Sequence, residues 1–254
     1  MSNAALLATL PAWAFAFVLV LSRCTMAVML LPGLGEAEPP ATLRVGLSLG
    51  LVALVLPGVG IVPPPDAAWR IVAMIGAELL CGGLLGWLAR VLALSLSMAG
   101  QIISFMLGLS SVIQPDAALG QSSAMMRMFA LVAPVLVLST GLWALPVAAL
   151  AGSYALVPPG GWLPMADSAQ AVVNGVADGF VLSMRLAAPF VFASVVWHVA
   201  MGLTARLVPH LQIYFASIPG QVLGGLALLG ILASGMLQAW TEAARAGFSG
   251  LPGL

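Results

Sequence analysis

Long apolar runs separated by short polar turns dominate the chain. Windows long enough to cross a bilayer, about 20 residues each, run over 13–31, 44–62 and 71–99, and again over 125–151, 172–203 and 213–240. They predict six hydrophobic helices. Two of the windows exceed one membrane thickness, and 101–113 is a further apolar helix candidate, so seven or eight helical pieces fit the pattern. The connections are short: 32–40 carries Glu36 and Glu38, Pro63-Pro64-Pro65-Asp66 reads as a rigid turn, and 157–168 is a Pro/Gly loop that marks the expected division between two parts. Pro57, Pro134, Pro146, Pro189, Pro209 and Pro219 stand in or beside apolar helices, where each removes a backbone donor and predicts a kink. Such backbone survives at membrane depth only when buried in protein or lining a wet cavity. The expected fold is all-α, a hydrophobic, membrane-associated set of helical hairpins bent and broken at Pro and Gly.

Composition sharpens this picture. Of 254 residues, 62% are hydrophobic and 6% charged, against roughly a quarter charged in soluble domains. So few charges cannot cover a soluble surface, which leaves lipid or apolar protein as the expected solvent. The formal net charge is zero and there is no lysine, which excludes a phosphate-binding P-loop, a Schiff-base enzyme and a polybasic nucleic-acid patch. No HExxH and no Gly-x-Ser-x-Gly elbow occurs, and His198 and His210 are not at metal-ligand spacing. Catalysis, metals and cofactors therefore find no support. Cys24 and Cys81 lie in apolar stretches and are expected as buried thiols. No basic residue precedes the first apolar run, so the expectation is a retained first helix and not a cleaved signal. Trp69, Trp87, Trp143, Trp162, Trp197 and Trp240 fall near window ends, where interfacial anchoring and core packing explain them equally well.

Chemistry at membrane depth belongs to the few ionisable groups. Arg23, Glu78, Arg90, Arg127, Asp178 and Arg185 fall within apolar runs, so each should face protein or water. Pairing within the chain or with other subunits is the simplest role; an ion or substrate relay is the alternative. Asp178 and Arg185 are seven apart, on one helical face without direct contact. Glu78 precedes Gly82-Gly83-Leu84-Leu85-Gly86, whose small residues let another backbone approach closely, and its carboxylate has to be neutral or paired. The 108–123 segment, GLSSVIQPDAALGQSS, is too polar for lipid yet flanked by apolar helices. A loop folded into an aqueous channel and a plain surface connection both fit it. In the first case Val112 and Ile113 could close a narrow pore by dewetting.

Ordered landmarks along nearly the whole chain resemble the FliR family, the flagellar type III export-gate membrane subunit. They are Arg23 with Met29-Leu30-Leu31-Pro32, Leu43-Arg44-Val45-Gly46-Leu47, the Gly82–Gly86 run, Ala99-Gly100-Gln101-Ile102-Ile103, Gly108-Leu109-Ser110, and Ser153-Tyr154 with Val157-Pro158-Pro159-Gly160. Most specific is the stretch from Ala205-Arg206-Leu207-Val208-Pro209-His210 to Tyr214-Phe215, followed by Ile218-Pro219 and Gly224. Gln101 stands where the family commonly has Glu, and Pro115-Asp116 where it has Asp-Pro.

The resemblance implies a subunit without catalytic activity, metal or cofactor, present in a single copy in the bacterial inner membrane at the flagellar basal body. It further implies FliP-like and FliQ-like partners, FlhB-like and FlhA-like components, surrounding membrane lipid, unfolded flagellar proteins as cargo, and no nucleic acid. Residues 1–160 would be a FliP-like part containing the gate loop, and 161–254 C-terminal helices ending in a FliQ-like hairpin. The gate loop would comprise Gly108, Ser110, Val112, Ile113, Pro115, Asp116 and Leu119, and the charged or assembly positions Arg23, Glu78, Arg127, Asp178, Arg185, Arg206 and Pro209. The homologous SctT injectisome subunits are the close alternative. An independent multipass transporter using Glu78, Asp178 and Arg185 is the alternative from another class.

Overall fold

A computed structural model describes residues 3–36, 40–109, 123–207 and 213–253. Among these residues there are seven helices and no strand: α1 (Asn3–Leu30), α2 (Ala41–Val59), α3 (Ala68–Met106), α4 (Ala124–Ser139), α5 (Ala144–Leu156), α6 (Met165–Leu207) and α7 (Ile213–Ser249). Five of them are long and apolar enough to cross a membrane, and α4 with α5 forms a bent pair that makes a sixth. The six windows thus fall on five long apolar helices and one bent helix pair. Of the further candidate at 101–113, residues 101–106 continue α3, which runs for 39 residues to Met106, and residues 110–113 lie outside the described residues.

α2, α4, α6 and α7 run on through Pro57, Pro134, Pro189 and Pro219, because an internal proline frees one carbonyl without having to end the helix. A bend of 71° between α4 and α5 falls at Gly141, whose φ of 73° is accessible to glycine at little cost. Pro146 lies in the first turn of α5, where its missing N–H has no helical acceptor to lose.

The chain forms two compact units. The first comprises Met1–Leu92, Pro134–Val176 and Arg245–Leu254. Its core is the stripe of α1 carrying Ala16, Leu19, Val20, Arg23, Cys24, Ala27 and Val28, all nearly or fully buried, at the i, i+3, i+4 spacing of one helical face. α3 meets this stripe with Ala77, Glu78, Cys81 and Leu85. The crossing is close because Gly82 and Gly86 lie against the Arg23 and Ala27 backbone, where a β-carbon would collide with their carbonyl oxygens. Both cysteines are free and buried.

The second unit comprises Ala93–Ala133 and Ala177–Ala244. Leu96, Ala99, Ile103, Phe129, Phe190 and Trp240 are buried in it. Trp240 is fully enclosed, and its indole N–H donates to Ser95 Oγ at 3.1 Å, so it is a core residue, whereas Trp69 and Trp162 are about two-thirds exposed. Outward faces of both units remain apolar: Leu54, Phe105, Phe192 and Ile231 are all largely exposed.

Candidate functional site

Where α1 crosses α3, two charges are completely enclosed. Arg23 and Glu78 are each 0% exposed, and they meet side by side, Nε to Oε2 at 2.7 Å and Nη2 to Oε1 at 3.1 Å. This bidentate geometry matches the planar guanidinium to the carboxylate. Fifty-five residues separate the partners in sequence. The glycines of α3 make the approach possible, since any side chain at Gly82 would displace the turn of α1 that carries Arg23.

Arg23 also binds α5 and the loop that follows it. Nη1 donates to Ser153 Oγ at 3.0 Å, Nη2 donates to the Val157 carbonyl at 3.0 Å, and the guanidinium carbon stacks 3.8 Å above the Tyr154 ring centroid. Ser153 Oγ in turn donates a hydrogen bond to the Leu150 carbonyl at 2.7 Å. Glu78 Oε1 accepts a third hydrogen bond from the Gly160 backbone N–H at 2.6 Å. The carboxylate is thus paired, as its position among close-packing glycines required, and its acceptors are directed at fixed donors. Chemically the cluster is a clamp joining α1, α3, α5 and the 157–160 turn. Sequence reasoning singled out Arg23 and Glu78 separately, and met Ser153, Tyr154, Val157 and Gly160 only as family landmarks. Two of the contacts use backbone atoms, which carry no side-chain signal.

The remaining charges are placed differently. Arg90 pairs with Glu36 at 3.3 Å, both partly exposed. Arg127 on α4 is exposed, as are Asp178 and Arg185 on α6, and Arg206 in the last turn of α6. Among the described residues, Asp178 and Arg185 form no hydrogen bond or ion pair with each other or with any other residue. His198 turns back on its own helix, with Nδ1 2.7 Å from the Ser194 carbonyl.

Of the gate-loop residues, Gly108 lies in the turn two residues past the end of α3, with φ 71°. Ser110, Val112, Ile113, Pro115, Asp116 and Leu119 lie outside the described residues, as do Pro209 and His210. Both shoulders of the segment are pinned within the second unit. At the first, the Met106 carbonyl accepts from Gln221 Nε2 at 2.8 Å and from Ser194 Oγ at 3.0 Å. At the second, Gln101 Oε1 accepts from Ser123 N–H at 3.2 Å and Oγ at 2.8 Å, while Ser123 Oγ caps α4 by accepting from Met126 N–H at 3.1 Å. The neutral amide at Gln101 therefore serves as acceptor for both Ser123 donors. A cavity of about 290 Å³ lies beside the first shoulder, lined among others by Met106, Ser194, Trp197, Gln221 and Gly224. Ser194 and Gln221 were missed in the sequence, because single polar residues in apolar helices look alike whether they cap, anchor or face outward.

A chain that encloses an ion pair and turns apolar helices outward is a helical integral membrane protein. Residues 14–246 match the family model described as "Bacterial export proteins, family 1". The flagellar biosynthetic protein FliR of Caulobacter vibrioides is 33% identical over 230 residues, covering 89% of this chain and 92% of the relative. The proteins of the same name from Aquifex aeolicus and Bacillus subtilis are 25% and 24% identical, covering 85% and 80% of this chain and 84% and 80% of their own lengths. The chain belongs to this family of bacterial export proteins.

Proposed function

We propose that the chain is a non-catalytic subunit of the flagellar type III export gate, helping to form and seal the channel through which unfolded flagellar proteins leave the cell. The observation that carries this reading is the family match across nearly the whole chain, with flagellar relatives of closely similar length. A component of flagellar protein export with apolar, membrane-crossing helices belongs in the inner membrane at the basal body. The flagellar names of the relatives favour this setting over the injectisome.

Within the gate, FliP-like and FliQ-like subunits pack against this chain, with FlhB-like and FlhA-like components adjoining. Residues 1–160 take the FliP-like place, and 161–254 supply the C-terminal helices that end in a FliQ-like hairpin. Arg127 and Arg206, exposed on their helices, serve as contacts to neighbouring subunits. Arg206→Leu should lower the yield of purified gate complex, and a normal yield would remove that assignment.

The 108–123 segment closes the channel. Supporting this is its polar composition between two apolar helices, together with the pinned shoulders at Met106 and Ser123, which fix where the segment begins and ends. Deleting 109–122 should leave an assembled gate that conducts small ions while export continues. A deletion complex no leakier than wild type in ion-flux measurements would move the seal to the partner subunits. Co-purification of the intact chain with FliP-like and FliQ-like proteins tests the gate reading as a whole.

A further inference from the structure

α6 has 43 residues, a length of about 64 Å at 1.5 Å per residue, whereas a bilayer's hydrocarbon layer takes about 20 residues. The stretch 186–203 contains no Asp, Glu or Arg and supplies one crossing by itself. Just before it, in the same compact unit, 177–185 exposes Phe180, Val181 and Met184 by 53%, 45% and 44%. Asp178 and Arg185 are exposed on the same stretch. The packed side of the helix carries Gly179, Ser183, Leu186, Ala187 and Phe190. At 100° per residue, Asp178 and Arg185 fall close together in angle and well away from that side, two turns apart along the axis.

None of the simple surroundings suits this face. Lipid would have to accept two unpaired charges, and water would have to accept three large apolar side chains in succession. A protein surface satisfies both, provided it brings charges to meet Asp178 and Arg185. A second copy of the chain does not. Two copies inserted with the same orientation and related by a two-fold axis along the membrane normal would set Asp178 against Asp178 and Arg185 against Arg185.

We propose that the 177–185 face of α6 docks a helix of a different subunit, one that presents a basic side chain to Asp178 and an acidic one to Arg185 two turns away. The inference rests on reading the chain as part of a multi-subunit export gate, and it names the surface and chemistry of one contact there.

The test uses the assembled complex in native membranes, with a photo-crosslinking residue in place of Val181, which lies between the two charges. The expected adduct joins this chain to another export subunit. Mass spectrometry should place the crosslink on a helix with opposite charges at the matching two-turn spacing. Asp178→Arg should reduce recovered complex at least tenfold without lowering the amount of this chain in the membrane, Asp178→Asn should reduce it less, and reversing the facing basic residue of the partner should restore assembly. The proposal is overturned if Asp178→Arg and Arg185→Glu assemble and swim like wild type, or if Val181 crosslinks only to lipid or to a second copy. If the wild-type chain recovers no other export subunit, the gate reading itself fails and takes this contact with it.

Discussion

The two compact units solve the problem of polar groups in an apolar chain in opposite ways. In the first, the most demanding charges are taken inside and saturated: Arg23 and Glu78 bind each other, Ser153, and the backbone at Val157 and Gly160. In the second, the enclosed polar contacts are neutral, Trp240 to Ser95 and Gln221 and Ser194 to the Met106 carbonyl, while Asp178 and Arg185 stay outside. A buried ion pair contributes little net stability over apolar packing, but it fixes which helices meet and is severely destabilising to break. The first unit is therefore specified from within. The second carries Asp178 and Arg185 on an outward face.

The largest expected effect comes from breaking the clamp on one side. Glu78→Ala strands a fully enclosed guanidinium and should destabilise the protein by about 3–5 kcal/mol, read as a collapse of folded, detergent-solubilised protein. Replacing both partners, Arg23→Met with Glu78→Met, should be milder than Glu78→Ala alone, since no charge is left unpaired. It will not be neutral, because the Val157 carbonyl and the Gly160 N–H lose their partners. A double variant worse than the single one would break the comparison, because the pair would then be stabilising in its own right.

Next in size is Gly82→Ala. Its β-carbon would overlap the Arg23 carbonyl oxygen, and the overpacking should cost about 1–3 kcal/mol. Gly46→Ala, with nothing within contact distance of the added carbon, should leave the thermal unfolding temperature unchanged or raise it through helix propensity. Equal effects at the two glycines would mean that the α1–α3 crossing is not close.

Smaller effects probe the second unit. Trp240→Phe removes the indole N–H bond to Ser95 and should cost about 1 kcal/mol, seen as faster amide exchange in the later turns of α3. Uniform acceleration through α1 as well would show that the effect is not confined to the second unit. Smallest of all, Gln101→Glu should strengthen the hold on Ser123 by less than about 1 kcal/mol, since a carboxylate near the start of α4 favours the helix dipole. A lower melting temperature would contradict the anchoring role.

Much of this contrast was legible in the sequence, and its limits have physical causes. Apolar windows give helices because a chain in lipid must satisfy its backbone internally, and the six windows fall on five long apolar helices and one bent helix pair. The close-packing glycines at Gly82 and Gly86 were legible because small side chains have few other uses at that spacing. The need of Glu78 for a partner was legible too. That the partner is Arg23 was not, since they lie fifty-five residues apart and local periodicity carries no information on which faces meet. Pro57, Pro134, Pro189 and Pro219 are each carried inside a continuous helix, because losing one backbone bond does not oblige a helix packed by its neighbours to stop. Trp240 could have been an interfacial anchor or a core residue until Ser95 was seen to take its N–H.

The central claim is that the buried Arg23–Glu78 cluster holds the architecture and does not carry protons. The direct measurement is flagellar protein export per assembled gate complex in the Arg23→Met/Glu78→Met double variant, with secreted flagellar protein normalised to complex recovered from the same cells. A structural clamp predicts that export falls only as far as assembly falls, leaving the ratio at the wild-type value. Full assembly with export abolished would contradict the account and make the pair part of a relay.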